Sequence, residues 1–185
     1  MDLKTAILSR RTVHEFSSEP VPPGLIEDAL NLALWAPNHK LTFPWLFYLI
    51  GEQTKVKLVD LALELKSQSP KPVSDVLLQA LKVKLSAIPS LVAVGCKRVD
   101  DEFQQREDYA TVSCGIQNAS LYLHEQGYAS KWSTGGFTRN KKTYEILGID
   151  ESEVDIVGFL FVGKGEPPAK QPVRPELQSV LISRP

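Results

Sequence analysis

Apolar residues recur at intervals of three and four along several stretches of the chain, which is the spacing of amphipathic helices. Beyond the proline-rich break at 20–24, this pattern predicts a helix from Leu25 that ends at Ala36-Pro37, because the residue before a proline disfavours helical geometry. The stretch 106–126 is predicted as a long central helix closed by a glycine, with small and apolar residues on one side at Ala110, Ser113, Cys114, Gln117, Ala119 and Leu121. Shorter helices are predicted over residues 2–9, 53–65, 73–85 and 141–147.

Short apolar runs between these helices predict strands. Several runs are apolar at successive positions, so we expect a sheet that is covered on both faces. Helices and strands do not alternate strictly, which favours an α+β fold over a doubly wound parallel sheet. The predicted strands cover residues 45–50, 89–96, 128–133 and 154–162.

The chain changes character after Gly163. Five prolines lie between Glu166 and the C-terminus, which excludes a helix or a central strand there. The same segment carries apolar side chains at Leu177, Val180, Leu181 and Ile182. We therefore expect a folded domain over residues 1–164 and an extended proline-rich segment over 165–185 that packs on a partner subunit. A frayed terminus is the alternative.

Composition narrows the functional classes. The 185 residues are 43% hydrophobic and 23% charged, close to the globular average, and the net charge of -1 gives no basic excess for nucleic-acid binding. The N-terminus has no apolar core of a signal peptide, and no apolar run is long enough to span a bilayer. Cys96 and Cys114 lack a CxxC-type partner and predict free, buried thiols. A soluble protein of the cytoplasm is expected.

Several motifs that would carry their own chemistry are missing. The chain contains no G-x-G-x-x-G or P-loop motif, no H-E-x-x-H motif and no G-x-S-x-G motif. Its three histidines, His14, His39 and His124, do not have the spacing of metal ligands. Hydrolytic triads, structural zinc and P-loop chemistry are therefore disfavoured, which leaves a borrowed cofactor as a source of reactivity.

Polar residues cluster at three places. Ser9-Arg10-Arg11-Thr12 follows the first helix, where forked guanidinium donors suit a phosphate, although cations also favour the end of a helix for its dipole. The stretch from Trp35 to Lys40, followed by Phe43-Pro44-Trp45, places polar side chains on a loop before a strand, and an ordinary surface loop would look the same. The stretch 131–136 ends a strand in hydroxyls and paired glycines, which allow close approach of a ligand or make a plain turn.

The order and spacing of these clusters resemble the FMN-dependent nitroreductase family over nearly the whole chain. The segments that carry the resemblance are 7–16, the run from Ala36-Pro37-Asn38-His39 to Pro44-Trp45, Ser113-Cys114-Gly115, and 127–135. The closest match is to compact bacterial members whose second loop has the sequence A-P-x-H-K. The resemblance implies a three-layer α/β/α sandwich with a mixed, mostly antiparallel sheet around a long central helix. It also implies a homodimer with shared active sites.

The resemblance assigns roles to each cluster. The basic pair and the hydroxyl would hold the phosphate and ribityl chain of FMN, the second loop would reach the flavin of the neighbouring subunit, and the third cluster would lie beside the isoalloxazine ring. A late arginine would help to bind phosphate. The residues in these roles are Arg10, Arg11 and Thr12; His39 with Trp35; Trp132, Ser133, Thr134 and Gly135; and Arg174.

The second loop departs from the family pattern. Many members have a glutamine before the Pro-Trp pair and an asparagine shortly upstream, where this chain has Phe43 and Lys40-Leu41-Thr42. Hydrogen bonding to the flavin and the preference for an acceptor are therefore expected to differ.

The implied activity passes electrons from NADH or NADPH through FMN to an electron-poor acceptor such as a nitroaromatic or a quinone. Such chemistry resides on the cofactor and needs no protein nucleophile or metal. Two alternatives stay open. One is a flavoenzyme of the same fold with other chemistry, such as dehalogenation or flavin fragmentation, because fold does not settle function. The other is a dimer that binds flavin without turnover.

Overall fold

The computed structural model describes residues 1–70, 73–167 and 172–184. Six helices and four strands lie in this part of the chain. The helices are α1 Leu3–Ser9, α2 Pro23–Ala33, α3 Glu52–Ser67, α4 Asp75–Ser86, α5 Glu102–Glu125 and α6 Lys141–Leu147, and the strands are β1 Trp45–Leu49, β2 Ser90–Lys97, β3 Ala129–Ser133 and β4 Val154–Gly163. Each was predicted from the sequence, with differences at the ends.

Two helices begin earlier than their apolar pattern suggests. Helix α2 begins at Pro23. Proline has no backbone N–H, but the N–H groups of the first turn have no partner within a helix, so no hydrogen bond is lost. Helix α5 begins at Glu102, because the side chain of Asp101 accepts a hydrogen bond from the Gln104 amide and caps the helix. Helix α2 also ends early, at Ala33, and continues to Ala36 as a tighter turn with bonds to carbonyls three residues back.

The sheet has the strand order β1-β2-β4-β3, and each neighbouring pair is antiparallel. One face packs against α2 and α5 through an apolar cluster, and the other packs against α3 and α6 through a second cluster. The three-layer α/β/α prediction and the two-sided sheet are therefore confirmed. The parallel component within the described residues is an isolated bridge between Thr12 and Ser130.

Gly115 lets α5 approach α2 closely. A Cβ atom at this position would lie 2.8 Å from the carbonyl oxygen of Ala33 and 3.0 Å from the indole nitrogen of Trp45. Both neighbours belong to the closely packed core, so moving either of them would cost free energy. A glycine in the middle of this long helix is therefore explained by packing.

We expect Gly115→Ala to destabilise the protein by about 1–3 kcal/mol, since overpacking outweighs the gain of about 1 kcal/mol in helix propensity. Urea unfolding would measure the change. Gly24→Ala is the matched control, because nothing lies within 4 Å of its Cβ position. A Gly115→Ala protein as stable as the Gly24→Ala protein would contradict this account of the helix contact.

The two cysteines differ. Cys96 is buried on β2, and burial raises the pKa of its thiol to about 12, with smaller contributions from Asp108 and Asp155. Cys114 is exposed, so the prediction of two buried thiols is wrong for this residue. It lies on the side of α5 that faces away from the sheet, together with the exposed residues Ala110 and Gln117.

Residues 165–167 and 172–184 of the proline-rich segment are described, while residues 168–171 and 185 lie outside the described part. Its apolar side chains Leu177, Val180, Leu181 and Ile182 are all exposed in the single chain. Among the described helices, none combines the length and apolar character required to cross a membrane. The division at residue 164 and the packing of the segment on a partner stay predictions.

Candidate functional site

Three arginines converge at the C-terminal end of α1. Arg10 and Arg11 directly follow this helix, and Arg174 of the proline-rich segment lies close enough to influence Arg10 electrostatically. Burial lowers the pKa of the Arg10 guanidinium, and the like charges of Arg11 and Arg174 lower it further. Within the described part of the chain, neither Arg10 nor Arg174 forms an ion pair. The cluster concentrates positive charge that an anion would neutralise.

Arg10 has an unused donor. Its Nε is buried and has no hydrogen-bond partner among the described residues, although a buried donor left unsatisfied costs about 1–3 kcal/mol. Arg11 is engaged differently, because its Nη1 donates to the carbonyl oxygens of Leu8 at 2.6 Å and Arg10 at 2.8 Å and so caps α1. Arg10 therefore offers a buried donor to a ligand.

His124 joins the cluster from the last turn of α5. Its Nε2 lies 2.8 Å from the hydroxyl oxygen of Ser9, which also donates to the carbonyl of Thr5 at 2.7 Å. Burial lowers the pKa of His124, and the charges of Arg10 and Arg11 add to this effect. The neutral form of the imidazole is therefore favoured beside this group of cations.

Strand β3 forms the edge of the sheet next to these arginines. The bridge from Thr12 to Ser130 brings the arginine segment against its first residues. At its other end Gly135 has φ +128° and ψ −166°, a conformation that requires glycine. The arginine cluster and an unusual backbone turn therefore lie at successive positions along one sheet edge.

Trp132 is anchored within this edge. Its indole nitrogen donates to the carbonyl of Val157 at 3.3 Å, and a Cβ atom at Gly158 would lie 2.3 Å from it. The missing side chain of Gly158 makes room for the indole, which is 37% exposed. The ring is thus held firmly while part of it remains available to a ligand.

Two cavities meet at the end of β3. One of about 560 Å³ lies between α3, α4 and the sheet, is mostly apolar, and includes Ser133 and Thr134 in its wall. The other, of about 680 Å³, includes Thr134, Gly135 and Val157. Both volumes are in the range of small-molecule sites. Within the described residues, no group of three or more His, Cys, Asp or Glu side chains could hold a metal ion.

The loop before β1 adopts a strained conformation. Lys40, Leu41 and Phe43 all have positive φ angles, between 48° and 59°, which L-residues rarely adopt. Asn38 holds the loop closed, since its Oδ1 accepts from the Phe43 amide at 2.8 Å and its Nδ2 donates to the Thr42 hydroxyl at 2.9 Å. Strain of this kind is frequent where a loop serves a function.

Two acidic side chains of helix α5 hold the same loop in place. The buried carboxylate of Asp108 accepts from the Thr42 hydroxyl at 2.5 Å, and Glu107 pairs with Nδ1 of His39 at 2.5 Å. Trp35, just before this loop, is 83% exposed. His39 of the loop and the preceding Trp35 are thus exposed, while contacts with α5 hold the loop in place.

The loop and the arginine cluster lie far apart in one chain. The loop precedes β1, and the arginines lie beside β3, at opposite edges of the sheet. They also contact opposite ends of α5, at Glu107 and His124. Seventeen residues separate these two contacts, which is about 26 Å along the helix. A single chain therefore does not bring the loop to the arginines.

The family model described as Nitroreductase family matches residues 7–164. The chain belongs to the nitroreductase family. YfhC of Bacillus subtilis (strain 168), named as a candidate NAD(P)H nitroreductase, is 31% identical over 152 residues, which are 82% of this chain and 78% of the relative. A nitroreductase-like family protein from Bacillus cereus is 28% identical and has a TM-score of 0.86, with 100% of this chain and 96% of that one covered.

Fold similarity extends beyond these relatives. The crystal structure of an iodotyrosine deiodinase bound to FMN and 3-iodo-L-tyrosine has a TM-score of 0.76 at 21% identity, with 99% of this chain and 98% of that one covered. At this identity the likeness concerns the fold alone. Membership of the nitroreductase family confirms the resemblance inferred from the sequence.

The structure groups the residues that the family resemblance singled out into two sets. Arg10, Arg11, Thr12 and Arg174 lie at the start of β3, with Trp132, Ser133, Thr134 and Gly135 following along the same strand and turn. Trp35 and His39 form the second set, at the opposite edge of the sheet. The individual roles of these residues stay predictions.

Some residues at these sites carry no recognisable signal in the sequence. Asp108 is buried with 1% exposure on the helix face that packs inward, and it lies 66 positions from Thr42 in the chain. His124 is 115 positions from Ser9. Only the packing of α5 against α1 and against the loop before β1 brings these pairs together.

Proposed function

We propose that this nitroreductase-family chain is an FMN-dependent oxidoreductase that passes electrons from NADH or NADPH to an electron-poor acceptor, such as a nitroaromatic or a quinone. The observation that carries the proposal is the arginine cluster, with the buried and unpartnered Nε of Arg10, beside the edge strand β3. A phosphate group would supply both the missing acceptor and the missing negative charge. Relatives whose names read putative NAD(P)H nitroreductase support the choice of reductant.

The residues of the sheet edge fit a flavin mononucleotide. Arg10, Arg11 and Arg174 would hold the phosphate, and Thr12 would bind the ribityl chain. The turn at Gly135 allows backbone amides to approach a planar ring closely. When bound, FMN supplies the two-electron redox chemistry, while the protein binds, orients and excludes water. The cavity beside Ser133 and Thr134 offers apolar walls that would keep water from this end of the strand.

A homodimer would complete the site. If two α5 helices pack antiparallel about a two-fold axis, the His39 loop of one chain meets the arginine cluster of the other, since these features lie at opposite ends of the helix. The outward side of α5 is exposed in the single chain, and so are many large apolar side chains, an extent of exposure that marks interaction surfaces. These include Leu3, Ile7, Leu8, Trp35, Leu41, Phe43, Phe103, Leu177, Val180, Leu181 and Ile182.

The segment 165–185 would cover the partner in this arrangement. Its described apolar residues contact no core of their own chain, and Val173 is 97% exposed. The next residue, Arg174, lies close enough to Arg10 to lower the pKa of its guanidinium. We propose that docking of the segment onto the partner holds Arg174 at the phosphate.

An absorbance spectrum tests the function directly. Purified protein is supplemented with FMN, desalted, and measured anaerobically before and after addition of NADH or NADPH. We expect a retained flavin band that bleaches on addition of the reductant and recovers when a quinone or a nitroaromatic compound is added.

Other outcomes would redirect the assignment. A retained band that does not bleach with either nucleotide would contradict a reductase and favour a flavin-binding protein without turnover. Bleaching without recovery by quinones or nitroaromatics, but with recovery by a halogenated phenol, would favour dehalogenation on the same fold. Loss of the flavin on desalting, together with no binding in titrations, would contradict the proposed cofactor itself.

A further inference from the structure

His124 has no role in the function proposed above, yet it lies within the arginine cluster. Its Nε2 lies 2.8 Å from the hydroxyl oxygen of Ser9, which lies 2.7 Å from the carbonyl oxygen of Thr5. The tautomer of the neutral ring sets whether Nε2 donates to this hydroxyl or accepts from it. Either neutral tautomer leaves one ring nitrogen without a proton, and the imidazole is protonated there.

The charges around the ring oppose that protonation in the free protein. Arg10 and Arg11 follow α1, which packs on the end of α5, and both lower the pKa of His124 in addition to burial. Arg174 reaches the same cluster from the proline-rich segment. The neighbouring acid on α5 is Glu125, which pairs with the N-terminal amine of Met1 at 3.3 Å. The surroundings of His124 are therefore dominated by positive charge.

We propose that His124 is a further binding residue of this phosphate site, and that its imidazole takes up a proton when a dianionic phosphate monoester binds. This inference rests on the proposed binding of FMN. A dianion among the arginines reverses the local potential, so the charged imidazole becomes favourable. The protonated ring then contributes a full positive charge that a neutral or singly charged ligand would not recruit. His124 thus favours a terminal phosphate monoester over a phosphodiester or a flavin without phosphate.

The sign of the pH dependence follows from this coupling. The pKa of His124 lies below its usual range in the free protein and rises in the complex, so binding takes up a proton between the two values and the affinity increases as pH falls. The phosphate itself takes up a proton near pH 6, which opposes the effect at lower pH. The gain is therefore lost at pH values above the pKa of His124 in the complex, and it is opposed below about pH 6.

Proton NMR of the imidazole rings provides the first test. The chain has three histidines, so their signals can be assigned with single substitutions. Titrations of the free protein, of protein saturated with FMN and of protein with riboflavin are compared. We expect FMN to raise the midpoint of His124 by about one pH unit, and riboflavin to leave it in place. The exposed His14 should not respond to either ligand.

Calorimetry with His124→Gln provides the second test. The glutamine amide can still donate to Ser9 but cannot be protonated. At pH 6.5, in buffers of different ionisation enthalpy, wild-type protein and His14→Gln should take up protons on binding FMN, whereas His124→Gln should not. The FMN affinity of His124→Gln should be about three- to tenfold weaker than that of wild type at pH 6.5 and equal to it at pH 8.

The outcomes separate this inference from the proposed function. FMN that binds tightly while the His124 midpoint stays unchanged overturns the inference and leaves the cofactor assignment intact. Proton uptake that persists in His124→Gln also overturns it. Wild-type protein that does not bind FMN overturns both. If His124→Gln does not fold, the comparison of FMN with riboflavin on wild-type protein decides alone.

Discussion

Replacing Arg10 by alanine is expected to weaken FMN binding by about 100-fold, because the phosphate then loses a partly buried, charge-assisted donor worth about 2–3 kcal/mol. The affinity for riboflavin is expected to stay unchanged in Arg10→Ala, since riboflavin carries no phosphate. Flavin fluorescence titration at fixed ionic strength measures both affinities. Arg10→Ala combined with Arg11→Ala should weaken FMN binding further.

The control for this experiment is Lys4→Ala, which removes one positive charge from an exposed position on the same helix. The long-range effect of one surface charge is small and screened by salt, so FMN affinity should stay close to wild type. The free Arg10→Ala protein should also be at least as stable as wild type in thermal unfolding, because it loses like-charge repulsion and an unsatisfied buried donor. Unchanged FMN affinity in the double arginine variant would remove the basis of the proposed site.

The layers of the fold could be predicted from the sequence because they depend on local patterns. The two-sided runs of β2 and β4 reflect contacts of each strand with its neighbours, and they were recognised. The long helix α5 was also recognised, but the side to which its small and apolar residues were assigned includes Ala110, Cys114 and Gln117, which are exposed. Helix ends were less accurate, since they depend on single interactions. The cap that Asp101 forms on α5 lies outside the apolar stripe, and periodicity alone therefore begins the helix at residue 106.

Cys114 shows a different limit of periodicity. The residues around Cys114 are small and apolar, which predicted that its thiol is buried. Cys114 does share one side of α5 with Ala110 and Gln117. That side faces away from the sheet, because the inward side is formed by residues such as Val112, Ile116 and Ala119. Periodicity indicates which residues share a side of the helix, but it does not indicate which of two candidate sides faces the sheet.

The candidate site draws on parts of the chain that no local motif connects. Arg10 and Arg11 form a short motif, and Arg174 was found only through resemblance to a family. His124 was visible as a residue without metal-ligand spacing, but its relation to Ser9 spans 115 positions. Likewise, the sequence marked His39 without revealing that α5 supports its loop through Glu107 and Asp108. Such positions follow from tertiary packing, whereas sequence patterns report mainly on neighbours.

Mixing two impaired variants is expected to restore activity if the site is shared between subunits, when activity is measured at an FMN concentration that saturates wild type but not Arg10→Ala. One variant carries Arg10→Ala, and the other carries Trp35→Ala with His39→Ala. In each homodimer both sites contain an altered element. In the heterodimer, one site combines both changes, while the other combines an intact arginine cluster with an intact loop. Random exchange of subunits should then restore about a quarter of the wild-type activity, because half of the dimers are mixed and half of their sites are intact.

The experiment distinguishes this arrangement from a site within one chain. If each site lay within one chain, every site in the mixture would contain either the altered cluster or the altered loop, and mixing would restore no activity. Each variant mixed with itself is the control, and subunit exchange is verified by native mass spectrometry. Sedimentation should show dimers for both variants. Exchange without recovery, or FMN-loaded wild-type protein that sediments as a monomer at micromolar concentration, would contradict the shared site, because about 26 Å of α5 then separates the loop from the arginines in the active form.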